Sequence, residues 1–190
     1  MSVLPQLRDA TWPLHQQLDR RLARSDRFSQ RESYCYHLQR LWGFHAAVEG
    51  LWCTIDWSAA LDDIEQRRRA HLLEADLAAL GSTHAGLARC PGVPSCDDLA
   101  TAFGVLYVTE GSTLGGRHLL NVVERTLGVT RDSGASYFAS YGERIDEMWR
   151  RFGVAADTWC NDEEQCARAA EGARAAFASI EEWLCGEETP

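Results

Sequence analysis

The segment DLATAFGVLYVTEGSTLGGRHLLNVVERTLG, residues 98–128, decides the fold. It is preceded by Ser95-Cys-Asp, and together with Asp98 these residues form a typical N-terminal cap of a helix. Gly128 follows as a stop signal, because glycine readily adopts the left-handed conformation that ends many helices. The sequence therefore predicts one long helix from about Asp98 to about Leu127.

Three glycines, Gly111, Gly115 and Gly116, lie within six positions of this predicted helix. Each destabilises a helix by about 0.8–1 kcal/mol relative to Ala, so the three together cost roughly 2.5–3 kcal/mol. A helix tolerates such residues where something approaches its backbone closely or where it bends. Two interpretations stay open: a Gly-x-x-x-Gly contact between packed helices, or a ligand lying against the backbone. A phosphate loop is disfavoured because no strand precedes the glycines and the chain has no Lys.

Apolar residues recur at helical spacing along nearly the whole chain. Capping patterns at Ser29–Glu32 and Asn161–Glu164 mark two helix starts, and Gly153 is expected to end a helix. The run Arg67–Arg69 is expected to be exposed. Besides the long helix, the predicted helices span about residues 7–22, 29–53, 59–80, 135–152 and 161–184. With no strand-length alternation and no repeat, the sequence predicts an all-α bundle of six or seven helices, as a single domain over residues 1–190.

The charges exclude several classes of function. The chain has 28 Asp and Glu against 19 basic residues, for a formal net charge of −9, and every basic residue is Arg. Without Lys there is no internal Schiff base, pyridoxal-phosphate anchor or lysine general base. The acidic balance argues against nucleic-acid binding and against a polybasic membrane contact. Any anionic ligand must be held by Arg, by backbone N–H groups or by helix N-termini.

The expected compartment is the cytoplasm. The seven cysteines are odd in number and show no C-x-x-C spacing, which favours reduced thiols over disulfides or a zinc site. No apolar run approaches the roughly 20 residues of a membrane span, and the N-terminus does not resemble a secretory signal. Cys90-Pro91 is similar to the dipeptide of heme-regulatory motifs, but a structural loop cysteine is the expected interpretation.

His15 is the first candidate for chemistry. It lies three and seven residues before Leu18 and Leu22, on the inward margin of the apolar stripe of the first helix. An imidazole in that position is either a satisfied core histidine or a ligand for something buried. Pro13 disturbs the helix beside it, unless Pro13 lies in the first turn.

These two segments resemble the heme oxygenases. Leu7-Arg8-Asp9-Ala10-Thr11 before His15 is similar to the motif of their proximal helix, and Leu106–Gly116 is similar to their glycine-bearing distal helix. Trp42–Glu49 and Tyr141–Phe152 also match the bacterial branch. The resemblance runs from about residue 4 to 184 and is strongest to short bacterial enzymes, including those partnered with bacteriophytochromes.

The resemblance implies a heme-oxygenase-like bundle with heme between the proximal and distal helices. It implies that His15 is the proximal iron ligand and that Gly111 and Gly115 lie over the opposite face of the heme, beside Gly116. Heme would be both cofactor and substrate, converted to biliverdin, CO and ferrous iron by O₂ and electrons from an external reductase or ferredoxin. A bacteriophytochrome is a candidate acceptor of the biliverdin.

One residue departs from the family pattern, and the propionate partners have to be found among arginines. Ser112 stands where mammalian-type enzymes have an aspartate, so proton delivery is expected to rest on water held by Ser112, Thr113 and the backbone. Arg8 lies two turns before His15 on nearly the same face. Arg144 and Arg150 lie in a matched segment, and we expect one arginine of that segment to reach a propionate.

Two other hypotheses are kept, and a third is disfavoured. A non-catalytic heme carrier of the same fold is suggested by Ser112 in place of the acid. A helical scaffold without heme would use its glycines only for packing. A di-iron oxidase is hinted at by His45 and Glu49 one turn apart, but such sites need Glu-x-x-His pairs and the chain has none.

Overall fold

The chain folds into helices joined by turns. The computed structural model describes residues 2–186, and within them lie seven α-helices, three short 3₁₀ turns and no strand. The α-helices are α1 (Val3–Ala23), α2 (Arg31–Trp52), α3 (Ala70–Ala79), α4 (Leu99–Leu127), α5 (Ser136–Ala139), α6 (Ile145–Trp159) and α7 (Glu163–Cys185). These elements confirm the predicted all-α class.

The central helix α4 has the predicted ends. Asp98 Oδ1 accepts a hydrogen bond from the backbone N–H of Thr101 at 3.0 Å, which satisfies one of the free donors of the first turn. Gly128 has a φ of 66°, the left-handed conformation expected of a C-terminal glycine. Helix α7 is capped in the same way by Asp162, whose carboxylate accepts from the N–H of Gln165 at 2.8 Å.

Helices α4 and α7 pack with their backbones almost in contact. A Cβ at Gly104 would lie 2.0 Å from the carbonyl oxygen of Ala169, and one at Gly172 would lie 2.5 Å from that of Thr101. Only glycine fits at these two positions, so Gly104 and Gly172 hold the two longest helices of the described chain together.

Three predicted features of the first half are wrong. Helix α2 begins after Gln30, which makes no side-chain cap. The Ser29 hydroxyl donates to the Asp26 carbonyl instead of accepting from a backbone N–H of the first helical turn. Of the helix predicted over residues 59–80, only Ala70–Ala79 is α-helical, because the preceding residues form turns and one 3₁₀ turn. Arg67 and Arg69, expected in solvent, are 1% and 2% exposed, since buried carboxylates pair with them.

The helix predicted over residues 135–152 is interrupted. Helix α5 ends at Ala139, and the chain then turns through Ser140 and Gly142, both of which have positive φ, at 44° and 62°. Helix α6 continues through Gly153 instead of ending there. A Cβ at Gly153 would lie 2.9 Å from Leu4 Cδ1, so this glycine serves the packing of α1 against α6.

The described part of the chain contains neither a membrane-spanning helix nor a metal cluster. No helix within residues 2–186 combines the length and apolar character needed to cross a bilayer. In the same residues, no group of three or more His, Cys, Asp or Glu side chains is placed to hold a metal ion. All seven cysteines are free thiols, and the buried Cys90 lies 3.3 Å from Ser179 Oγ.

Candidate heme site

A cavity of about 870 Å³ lies between α1 and α4. Helices α2 and α7 form its inner wall, and two residues of α5, one residue of α6 and Arg69 just before α3 complete it. The lining includes Leu4, Arg8, Trp12, His15, Leu22, His37, Leu41, Phe44, His45, Arg69, Tyr107, Gly111, Ser112, Gly115, Gly116, His118, Tyr137, Trp149, Phe177 and Leu184. A largely apolar cavity of this size with a few polar groups is typical of a site for a small organic ligand or cofactor.

His15 lines this cavity from α1. Its side chain is 50% exposed, so it is not a core histidine. Nδ1 lies 2.9 Å from Oδ2 of Asp19, one turn further along the helix. Because the carboxylate accepts a hydrogen bond from the N–H at Nδ1, the lone pair of the neutral ring lies on Nε2. The ring of Phe177 packs edge-on at 5.7 Å and that of Trp12 stacks at 6.0 Å, and these contacts limit its rotation.

The glycines of α4 divide into two groups. A Cβ at Gly111 or Gly115 would meet no atom within 4 Å, and both residues line the cavity. A Cβ at Gly116 would lie 2.6 Å from the carbonyl oxygen of Phe138, so Gly116 also packs against α5. Close helix packing therefore explains Gly104 and Gly116, while Gly111 and Gly115 leave the α4 backbone open to the cavity.

A polar wall closes the cavity on the inner side. His45 Nε2 lies 2.9 Å from the Tyr137 hydroxyl, and both side chains are buried. His45 Nδ1 and Arg69 Nε are buried without a hydrogen-bond partner among the described residues. Burial, and then the charge of Arg69, lower the pKa of His45 to about 3, so its imidazole is neutral. Burial likewise raises the pKa of Tyr137.

Glu110, the residue before Gly111, anchors α4 in a buried ionic cluster. Its carboxylate pairs with Arg67 at 2.5 Å and with Arg69 at 2.6 Å, and it accepts a hydrogen bond from the Tyr141 hydroxyl at 2.8 Å. Arg67 also pairs with Asp63 at 2.6 Å. Two buried guanidinium groups thus meet two carboxylates, and the partly exposed Arg151 also pairs with Asp63 at 2.9 Å. This pairing makes burial of the charges tolerable.

Arg69 links this cluster to the cavity. Its Nη1 donates to the carbonyl oxygen of Thr109 at 2.9 Å, so Arg69 binds both the backbone and a side chain of α4 just before the glycines. Arg69 is not predicted from the sequence as a site residue, because three consecutive arginines are typical of an exposed face. His45 has no predicted role in a heme site either, although His37, Leu41 and His45 recur every four residues on one face of α2.

Only one of the three arginines in the predicted site reaches the cavity. Arg8 lines it near Tyr107, and its guanidinium pairs with Asp9 at 2.9 Å. Arg144 lies outside, pairing with Glu147 at 3.1 Å, and Arg150 lines a shallow depression on the outer surface. Neither Arg144 nor Arg150 lines the cavity, because α6 presents Trp149 to it instead, and the expected contact of an arginine of this segment with a propionate stays a prediction.

The Ser112 hydroxyl is at the cavity but is turned back to its own helix, where it donates to the Thr109 carbonyl at 2.7 Å. Its oxygen remains able to accept a hydrogen bond, which is compatible with the predicted role of holding water. Thr113 behaves similarly, donating to the Glu110 carbonyl at 2.7 Å.

Comparison with known proteins gives one consistent family. The family model for heme oxygenase matches residues 1–185. A heme oxygenase from Xanthomonas campestris is 33% identical over 140 residues, which cover 71% of this chain and 79% of the relative. Heme oxygenase PigA from Pseudomonas aeruginosa is 28% identical over 164 residues, covering 86% and 81%.

Two solved structures share the fold. The heme oxygenase from Neisseria meningitidis, studied in its NO- and CO-bound forms, superposes with a TM-score of 0.85 at 24% identity, covering 100% of this chain and 94% of the other. The heme oxygenase from Leptospira interrogans superposes with a TM-score of 0.75 at 15% identity, covering 98% and 100%.

Proposed function

Since the chain belongs to the heme oxygenase family, we propose that it binds heme in the cavity and cleaves it to biliverdin, CO and ferrous iron. The observation that carries this proposal is that His15 of α1 and Gly111 and Gly115 of α4 line the same cavity. A ligand for iron and an open stretch of backbone thus belong to one site.

The residues present fit a heme. His15 Nε2 is the free nitrogen of a neutral imidazole whose other nitrogen is held by Asp19, which is the form that binds iron. The missing side chains at Gly111 and Gly115 leave room for a flat macrocycle against α4. Arg8, at the cavity edge, is a cation available to a propionate through a charge-assisted hydrogen bond.

Bound heme supplies the iron that binds O₂ and the macrocycle that is oxidised. The protein has to bring protons to that site. His45 and Arg69 line the cavity, and His45 Nδ1, 3.8 Å from the Glu49 carboxylate, and Arg69 Nε are buried without a hydrogen-bond partner among the described residues. In this proposal, water in the cavity joins these two side chains to Ser112. The Tyr137 hydroxyl, bonded to His45, extends this polar path along the wall. These side chains take the place of an acid at position 112.

Electrons come, in this proposal, from a separate reductase or ferredoxin, as the family's chemistry requires. Biliverdin is then available to a bacteriophytochrome, as proposed from the resemblance to the bacterial branch. Both partners are tested by adding them to the purified protein: a ferredoxin and its reductase should support heme loss, and an apo-phytochrome should acquire its long-wavelength absorption from the product.

The second candidate is a heme carrier of the same fold. It is favoured by Ser112, because Asp19, which is bonded to His15, is the single carboxylate side chain of the described residues that lines the cavity. A carrier needs His15 and the glycines but no proton path. The buried polar wall of His45, Arg69 and Tyr137 has a purpose in an enzyme and none in a carrier, and this favours the enzyme.

Reconstitution with hemin, followed by reduction under O₂ and chromatography of the products, tests both candidates. The enzyme gives biliverdin and CO. If the heme remains intact both with ascorbate and with a ferredoxin system, the enzyme is excluded and the carrier is the remaining candidate. The absence of a Soret band typical of histidine ligation would contradict both.

A further inference from the structure

One of the four histidines that line the cavity, His37, has no part in the proposed function. His37 lies on α2, two turns before His45, and is only 5% exposed. Its Nδ1 lies 3.0 Å from Nη1 of Arg27, and the ring of Phe28 packs edge-on against it at 5.6 Å. The proposed reaction assigns no role to this buried polar group.

Arg27, behind His37, carries a charge that no carboxylate of the described residues neutralises. Its Nη2 donates to the Leu184 carbonyl at 2.6 Å, and its Nε donates to the Ser25 hydroxyl. Within residues 2–186 no ion pair of Arg27 is found, whereas Arg67 and Arg69 each pair with buried carboxylates. Burial lowers the pKa of Arg27 from its usual value, yet arginine stays protonated at any ordinary pH.

The Arg27 contact fixes which hydrogen-bonding group His37 can offer. Because a guanidinium only donates, Nδ1 of His37 must accept, and the proton of the neutral ring lies on Nε2. Burial, reinforced by the charge of Arg27, lowers the pKa of His37 to about 3, so the ring does not take up a second proton near neutral pH. An N–H polarised by a cation on the other side of the ring binds best to an anion.

His37 and Arg8 belong to opposite ends of the cavity. Along α1, the lining runs from Leu4 and Arg8 to Leu22. Arg8 and Leu22 are separated by almost four turns, about 21 Å along the axis. Arg27 follows Leu22 by five residues and binds the end of α7 at Leu184, which also lines the cavity. The Arg27–His37 pair therefore lies at the Leu22 end.

We propose that His37, backed by Arg27, is a second position in the cavity that binds a carboxylate, and that it receives a heme propionate. This inference rests on the proposed function. Arg8 at one end and His37 at the other give the macrocycle two places where a propionate can be held, and the choice between them sets its rotation within its own plane. That rotation decides which meso carbon faces the polar wall.

The test compares the affinity for hemin with that for hemin dimethyl ester, which has no carboxylates. The ratio of the two affinities isolates the contribution of the carboxylates from that of the apolar contacts. The unchanged protein should prefer hemin. His37→Leu should lower this ratio about tenfold, the effect of one charge-assisted hydrogen bond. His37→Gln keeps an N–H donor and should retain most of the preference.

Arg27→Gln is the second variant, because it removes the cation while leaving the residues that line the cavity unchanged. It should also lower the ratio, and both variants should shift the proportions of the biliverdin isomers. Arg8→Gln is the matched variant at the other end. Circular dichroism of the apo-proteins checks that each variant folds.

The inference is overturned if His37→Leu loses the same affinity for hemin as for the ester, and if the isomer proportions stay unchanged in both His37→Leu and Arg27→Gln. The proposed function would still stand. Failure of the unchanged protein to bind or cleave heme would instead overturn the proposed function, and this inference with it.

Discussion

The carboxylate of Asp19 lies 2.9 Å from Nδ1 of His15, one helical turn away on α1. In the proposed function, the pair fixes the tautomer of His15 and increases the electron density at its Nε2. The side chains of His15 and Asp19 are 50% and 64% exposed, so the pair contributes little to folding, and we expect its effect to be on ligand binding.

Replacing Asp19 by Asn should weaken hemin binding about tenfold, because the ring loses its anionic partner and part of its basicity. The free energy of unfolding of the apo-protein should change by less than about 0.5 kcal/mol. Hemin titration and urea unfolding measure the two effects. Asp26→Asn, an exposed carboxylate away from the cavity, is the control; the same loss in both variants would argue against the role of Asp19.

His15→Ala should abolish normal iron ligation and leave the fold intact, since the side chain is half exposed. The Soret band of the hemin complex should shift or disappear, and added imidazole should restore it in part. Normal turnover of heme by this variant would show that the ligand is another residue.

The two groups of glycines should respond in opposite ways. Gly115→Leu should block hemin binding with little loss of apo-protein stability, because nothing lies within 4 Å of its Cβ position. Gly104→Ala should destabilise the apo-protein by several kcal/mol, on the order of 3, because its Cβ would lie 2.0 Å from the Ala169 carbonyl oxygen. Comparable destabilisation by both substitutions would mean that Gly115 also packs against a neighbour.

Glu110→Gln should destabilise the protein by about 3 kcal/mol, because it leaves two buried guanidinium groups facing one remaining carboxylate. Glu65→Gln breaks only an exposed pair with Arg68 and should cost less than about 1 kcal/mol. Urea unfolding of both variants makes the comparison. Equal small effects would show that water already screens the cluster.

The buried His45 should make stability depend on pH. Its pKa is lowered to about 3 in the folded protein, against about 6.5 in the unfolded chain, so the unfolded chain binds more protons between these values. The stability of the folded state should therefore fall as pH decreases below about 6.5, by up to about 1.4 kcal/mol per pH unit for this group. His45→Asn should reduce that slope, and the exposed His71→Asn should not. Unfolding curves of the unchanged protein and both variants at pH 5 and pH 7 measure this slope.

The sequence predicts those parts of the fold whose signals are local. The ends of α4 follow from Asp98 and Gly128, and the start of α7 from Asp162, because each cap acts within its own turn. Residue type and spacing made His15, Gly111 and Gly115 candidates but left a structural interpretation of each open, and only the resemblance to the family implied their roles.

Features that depend on distant partners could not be predicted. Arg67 and Arg69 are buried because Glu110, more than 40 positions away, lies between them in the fold. The break between α5 and α6 depends on a positive φ at Ser140, a residue type that does not require it. Whether Arg150 of α6 reaches the cavity depends on the rotation of that helix about its axis, because adjacent residues on a helix face in different directions.

Glu110 and Gly116 enclose the central, glycine-bearing part of the α4 segment that borders the cavity. Glu110 is held by two buried guanidinium groups, and Gly116 packs against the Phe138 carbonyl. Between these fixed points lie two glycines whose neighbourhood is open. A rigid planar guest and a longer, opened product differ in shape, and this short stretch can adjust to both while the rest of the bundle keeps its packing. The mechanical compliance of the site is thereby confined to about one turn of one helix.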